Sequence, residues 1–167
     1  MREDIVHKAK KIKLLVLDSD GVLTEGSIIY DSKGRDLRVF NVKDGLGVFL
    51  LSQKGVDTVV LTARGTKALN RRIKDMRIKE VFSGTPKEDV LDKIIDKYKV
   101  SKDEVCFLGD DLIDIKASEK AGFSIAVSDA CRELKEKADL VTEHKGGKGA
   151  VREVAEIIMK AKGAWDW

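Results

Sequence analysis

The sequence predicts an α/β fold: a doubly wound, mainly parallel sheet with a small β-hairpin flap. Three observations lead there. Apolar runs of strand length recur, as in LLVL at 14–17 and VCFL at 105–108, and each reads as a strand buried on both faces, the mark of a parallel sheet covered by helices. Between such runs lie charged stretches whose apolar residues return at helical spacing, as Val90, Leu91, Ile94 and Ile95 do. Strands and helices alternate along most of the chain, which implies right-handed crossovers.

Taken in order, residues 2–11 form a short charged helix that leads into a strand over 12–18. Extended segments at 27–30 and 37–41 flank Asp31-Ser32-Lys33-Gly34, a hairpin turn. Then follow a helix over 45–54 closed by Gly55, a buried strand over 56–62 and a basic helix over 66–76. A short strand at 80–82 precedes a helix over 87–98 and a strand over 105–108. The remainder reads as a helix over 112–121 ended by Gly122, a strand over 124–127, a helix over 130–138, a short strand at 140–141 and a helix over 149–161. No repeat or linker divides the chain. Residues 1–167 therefore read as one domain, with the flap at about 27–41 and a tail at about 162–167, and the length suffices for a full core.

Composition narrows the partners. Thirty-two Lys and Arg against 29 Asp and Glu leave a net charge of only +3, and the basic residues are scattered. That balance argues against a nucleic-acid partner. Charges interrupt every apolar run well before the roughly 18 residues a membrane span needs, so no membrane partner is expected and the cytoplasm is the expected compartment. Cys106 and Cys131 match no metal or redox spacing, Cys106 reading as a small core residue, and His7 and His144 form no ligand pair.

The chemistry sits at strand ends. LLVLDSDGVLT and VCFLGDD both run from apolar strand into carboxylates, and ligands of open α/β sheets bind at the carboxyl ends of the strands. Asp18, Asp20, Asp110 and Asp111 would crowd one crevice, a costly arrangement without a cation, and their oxygen ligands suit Mg²⁺. Thr62 closes another strand and Lys87 opens the helix after the next. These groups meet the needs of phosphoryl transfer to water. Asp18 is a nucleophile, Asp20 a proton donor one turn away, Thr62 a hydrogen-bond donor to phosphoryl oxygens, Lys87 a neutralising charge, and Asp110 a metal ligand. Singly, each has a plainer reading as a helix cap or a surface charge.

The ordered set DSDG, a strand ending in Thr62, Lys87 and GDD resembles the haloacid dehalogenase-like phosphatase superfamily, whose core is a Rossmann-like sheet. The resemblance implies Asp18 as nucleophile and Asp20 as general acid and base. It implies Mg²⁺ held by Asp18, the main-chain carbonyl of Asp20 and Asp110, and it assigns Thr62 and Lys87 to the phosphate. Asp111 would stand behind the metal ligands in a supporting role. The run from DGVLTEG to NVKDGLG, with LTAR, GDDLID and GGKGAVREV, is similar to a nearly capless branch of that superfamily that dephosphorylates a 3-deoxy sugar acid for lipopolysaccharide precursor synthesis. This narrower likeness implies a phosphorylated sugar acid as substrate and a homotetramer joined through the hairpins. It also implies that Asn41, Val42, Lys43, Asp44 and Gly45 face the substrate, with Lys43 meeting an anionic group and Asn41 and Asp44 bonding hydroxyls or orienting that lysine.

Arg64, two residues after Thr62, suits a phosphate or carboxylate as a bidentate partner. Arg72 offers a second guanidinium or is one more helix-surface charge, and Lys148 in GGKG has the same two readings. The tail, ending in Trp165 and Trp167, either packs on its own subunit or reaches a neighbour's site. Departures from the superfamily pattern are Ser19 between the two aspartates, Glu25 in place of aspartate, Ala63 in place of glycine and a Lys87 only three residues after Gly84. A response-regulator receiver shares the residue types but not their order, and a non-catalytic oligomerisation module would have no use for all of Asp18, Asp20, Lys87 and Asp110.

Overall fold

The computed structural model describes residues 2–166. Its elements in chain order are α1 (Glu3–Lys11), β1 (Leu14–Leu17), β2 (Ile29–Tyr30), β3 (Asp36–Leu37), α2 (Val42–Gln53), β4 (Asp57–Thr62) and α3 (Lys67–Asp75). They continue as β5 (Val81–Ser83), α4 (Lys87–Tyr98), β6 (Val105–Gly109), α5 (Ile115–Lys120), β7 (Phe123–Ala126), α6 (Arg132–Lys137), β8 (Leu140–Val141) and α7 (Ala150–Ala161). Six strands form one sheet in the order β5-β4-β1-β6-β7-β8, and every neighbouring pair is parallel. The chain leaves β1 toward β4 on one side and later returns to β6 on the other. The tip of β1 is thus the switch point where α/β sheets open a crevice.

Alternation along the strands divides the core. Leu15, Leu17, Val60, Cys106 and Leu108 face a layer built from α1, α2, α3, α6 and α7. Leu14, Val16, Val59, Leu61, Val105 and Phe107 face α4 and α5 through Leu91, Ile94, Ile95 and Ala117. Both faces of β1 are therefore dry, as its unbroken apolar run requires. Phe107 is fully buried in the second layer. Phe107→Ala is expected to cost about 3–5 kcal/mol through lost burial and the cavity left behind, read as a shift in the urea unfolding midpoint.

The hairpin is shorter than its sequence suggests, with only two residue pairs, Ile29–Leu37 and Tyr30–Asp36. Asp31 Oδ1 accepts from the Lys33 and Arg35 N–H groups and closes the turn. Residues 38–41 then bend away instead of extending the ladder. α2 begins at Val42, before the expected residue 45, because the Asn41 side chain accepts from Lys43 N and caps it. The expected helix over 112–121 is split into a 3₁₀ turn, Leu112–Asp114, and α5. No helix among the described residues is long and apolar enough to cross a membrane.

The tail turns back on its own subunit. Ala164 N donates to Met159 O, and Trp165 packs on the first core layer with Arg152 and Lys160 over its ring at 5.4 and 5.1 Å. Lys54 pairs with Asp166 at 2.7 Å. Of the two readings of the tail, the self-packed one is seen for Trp165; Trp167 lies outside the described residues.

Candidate active site

β1 ends at Leu17, and Asp18 N donates to Leu108 O, so the β1–β6 ladder fixes the first acidic residue. Ser19 O then accepts from the N–H groups of Leu23 and Thr24 in a tight turn, which swings Asp20 to the rim of the crevice. Gly21, at φ +88°, permits that turn, and a Cβ there would lie 2.0 Å from Asp110 Oδ2. Only glycine lets the two acidic tips close on each other.

Asp18, Asp20, Thr62, Arg64, Asp110 and Asp111 line one cavity of about 250 Å³ together with Gly26, Ala63 and Ile113. Lys87 reaches it from beneath, at the start of α4, with its side chain wholly buried. Its Nζ donates to Asp18 Oδ1 at 2.7 Å and to Asp114 Oδ1 at 2.6 Å. The other Asp114 oxygen accepts from Asp110 N and Asp111 N, so it fastens the β6 tip. The shorter approach from Gly84 thus still delivers Lys87 to the acidic cluster.

Charge is concentrated here. Oxygens of Asp18, Asp110 and Asp114 lie within 4.8 Å of one another. Burial, with the Asp114 charge added, pushes Asp18 up to about 6 even though Lys87 pulls it down. Burial followed by the charges of Asp18 and Asp114 pushes Asp110 up to about 8. Burial also opposes the Lys87 ammonium, but Asp18 and Asp114 outweigh it and its pKa ends above the ordinary lysine value. One ammonium does not compensate three carboxylates. An all-oxygen donor set with excess negative charge fits a hard divalent cation.

Other sequence-predicted residues lie elsewhere. Asn41, Val42, Lys43, Asp44, Gly45 and Arg72 are not among the residues lining this cavity. Asn41 and Lys43 border a separate groove with Lys148 and Arg152. Asp44 is buried, and its Oδ1 accepts from Arg152 N at 2.9 Å. It caps α7 from outside, and burial raises its pKa against the N–H groups of Arg152 and Gly149. Arg72 Nη2 donates to Asn41 O at 2.8 Å, and a Cβ at Gly45 would come within 2.7 Å of that nitrogen. Arg72 therefore braces the α2 entry. Asp111 is exposed and caps the 3₁₀ turn through Leu112 N.

Thr62 Oγ1 is buried and accepts from Arg64 N at 3.1 Å, which shapes the loop containing Ala63. Two residues were not anticipated. Asp114 is one, although GDDLID places an acid four residues after Asp110. The other is Arg38, whose contact with Asp20 depends on how the flap bends. GGKG also has a definite place: Gly147 N donates to Val22 O at 2.8 Å, and a Cβ on Gly146 would stand 1.6 Å from Gly21 O. Gly146→Ala is expected to force that backbone away and lower the melting temperature by several degrees, measured by calorimetry.

The strand order and acid-tipped β1 and β6 define the class of haloacid dehalogenase-like hydrolases, and the family model of that description matches residues 81–154. Over 164 residues the chain is 37% identical to 3-deoxy-D-manno-octulosonate 8-phosphate phosphatase KdsC of Escherichia coli K12, covering 98% of this chain and 87% of the relative. The chain belongs to this phosphatase family. A crystal structure of the Moraxella catarrhalis phosphatase with magnesium, phosphate and KDO superposes at TM-score 0.96 with 38% identity, covering 99% of this chain and 96% of that one. The cobalt-bound Haemophilus influenzae phosphatase gives 0.89 at 38% identity, covering 93% and 92%.

Proposed function

We propose that this chain is a cytoplasmic, Mg²⁺-dependent phosphatase that hydrolyses 3-deoxy-D-manno-octulosonate 8-phosphate to the free sugar acid and inorganic phosphate. The observation that carries it is the convergence of Asp18, Asp20, Thr62, Arg64 and Asp110 on one small cavity. Asp18, Asp110 and the main-chain carbonyl of Asp20 would hold Mg²⁺, which when bound offsets the charge of the phosphate and of the carboxylates.

An ionised Asp18 oxygen attacks phosphorus while the bond from phosphorus to the ester oxygen breaks. The carboxyl proton of Asp20 passes to that oxygen and releases the sugar acid. Asp20, now ionised, takes a proton from water as the water oxygen attacks the aspartyl phosphate. Phosphate leaves, and Asp18 is again a carboxylate. Lys87 holds Asp18 Oδ1 through the cycle and keeps one rotamer in line. Thr62 and Arg64 receive phosphoryl oxygens, Arg64 being half-exposed at the mouth. Lys43, exposed beside the flap, is the proposed partner of the sugar-acid carboxylate.

The flap supports association into a homotetramer. Ile28, Ile29, Tyr30, Leu37 and Val39 are exposed on a hairpin of two residue pairs, and Val42 and Leu46 continue the patch onto α2. So short a hairpin gains stability by packing on a copy of itself. Sedimentation at micromolar protein is expected to give a four-copy mass; a monomer would contradict it. The catalytic reading is tested by a phosphate-release screen over sugar-acid phosphates with Mg²⁺. The expected result is the highest kcat/KM on the octulosonate 8-phosphate, and no release from any of them would overturn it.

A further inference from the structure

Arg38 lies on the flap, outside the acid-tipped strands, yet it touches Asp20 at the rim of the site. Its side chain is only 2% exposed. Nε and Nη2 fork onto Asp36 Oδ1 and Oδ2 at 2.9 and 3.0 Å, and Nη1 donates to Asp20 Oδ1. Asp36 also accepts from Arg64 Nη2 at 3.0 Å.

We infer that Arg38 is a positioning residue that fixes the Asp20 carboxyl for proton transfer, with Asp36 holding Arg38 in turn. The inference rests on the acid role proposed for Asp20. That side chain is 35% exposed at an open rim, and the terminal torsion of an aspartate is soft. A proton donor must stay within about 2.6–3.2 Å of the leaving oxygen to be effective. A solvated arginine would hold it poorly, because exposed ion pairs are worth little. Arg38 is different, since burial and the two-point grip of Asp36 leave its third donor a fixed direction. Arg38 engages Asp20 Oδ1. Oδ2 accepts no hydrogen bond among the described residues and is the oxygen left to carry the proton. The flap therefore sets the angle of the acid, which ties the placement of β3 to the rate of the first chemical step.

The test compares kcat/KM, with Mg²⁺ present, for an alkyl sugar phosphate and for p-nitrophenyl phosphate, whose leaving group departs without a proton. kcat/KM reports the first step and excludes the later hydrolysis common to both. Arg38→Ala is expected to lower the sugar-phosphate value about tenfold, the worth of one charge-assisted hydrogen bond, and the p-nitrophenyl value less than about twofold. Arg38→Lys, which keeps the charge but loses the fork, is expected to fall between wild type and Arg38→Ala on the sugar phosphate. Equal losses on both substrates, as a binding or folding role gives, would overturn the inference, and so would no loss on either. Asp20→Asn separates the two levels. If it shows the leaving-group asymmetry and Arg38→Ala does not, the positioning role fails and the acid role stands. If Asp20→Asn lowers both substrates equally, the acid role itself fails.

Discussion

Asp18→Asn is expected to reduce phosphate release at least about 10⁴-fold in kcat, while the folded protein gains stability. The amide matches the carboxylate in shape and still offers an oxygen to Lys87 Nζ, now 2.7 Å from Asp18 Oδ1. It cannot attack phosphorus. The stability gain follows from the sign of the pKa shift. Burial and Asp114 raise Asp18 to about 6, so ionisation is less favourable in the fold than in the unfolded chain. Stability is complete below the unfolded value and is lost as pH rises through about 6. At pH 8 the wild type bears the full cost, and removing the charge is expected to return about 1–3 kcal/mol in metal-free buffer. Steady-state kinetics and urea unfolding on one preparation check both halves. Turnover within tenfold of wild type would remove Asp18 as nucleophile, and a large loss of stability would make the inactivity a folding defect.

The strand tips were legible because two-sided burial leaves no polar position inside a central strand. Carboxylates directly after LLVL and VCFL could stand only at the sheet edge, and β1 and β6 are neighbours. Thr62 and Lys87 followed from the same alternation. The residues sequence reasoning missed depend on contacts that alternation does not encode. Asp114 turns back to Lys87 because a 3₁₀ turn, not an α-helix, follows Asp110. Arg38 reaches Asp20 only because the hairpin stops after two pairs. The start of α2 was obscured by Gly45 and Gly47, poor helix formers by propensity. Gly45 leaves room for Arg72, and a Cβ on Gly47 would lie 2.9 Å from Arg152 Cα. Tertiary packing set those glycines, and it also turned Asp44 away from solvent toward α7.

Lys87→Met is expected to cost about 3–5 kcal/mol of stability at pH 8 without metal, the range for breaking a buried ion pair by removing one partner. The side chains are similar in volume, so the effect isolates charge. Lys87 is the cation paired with both Asp18 and Asp114, and both pairs are nearly solvent-free. Without it the Asp18 carboxyl climbs further above about 6, beside an Asp110 that burial and Asp18 already push up to about 8. The variant escapes the penalty by taking up protons. At pH 5 protons are plentiful, and the cost is expected to fall below about half its pH 8 value. The lysine contribution has the matching sign: its pKa is raised in the fold, so its stabilisation is present throughout this range and fades only in strong alkali. Added Mg²⁺ is expected to restore part of the loss at pH 8 and little at pH 5, because protons and the cation compete for the same oxygens. Urea unfolding at both pH values, with chelator and with millimolar Mg²⁺, gives the four numbers needed. A loss independent of pH would assign Lys87 to packing, and a variant whose stability ignores Mg²⁺ at pH 8 would show that the carboxylates do not hold the ion.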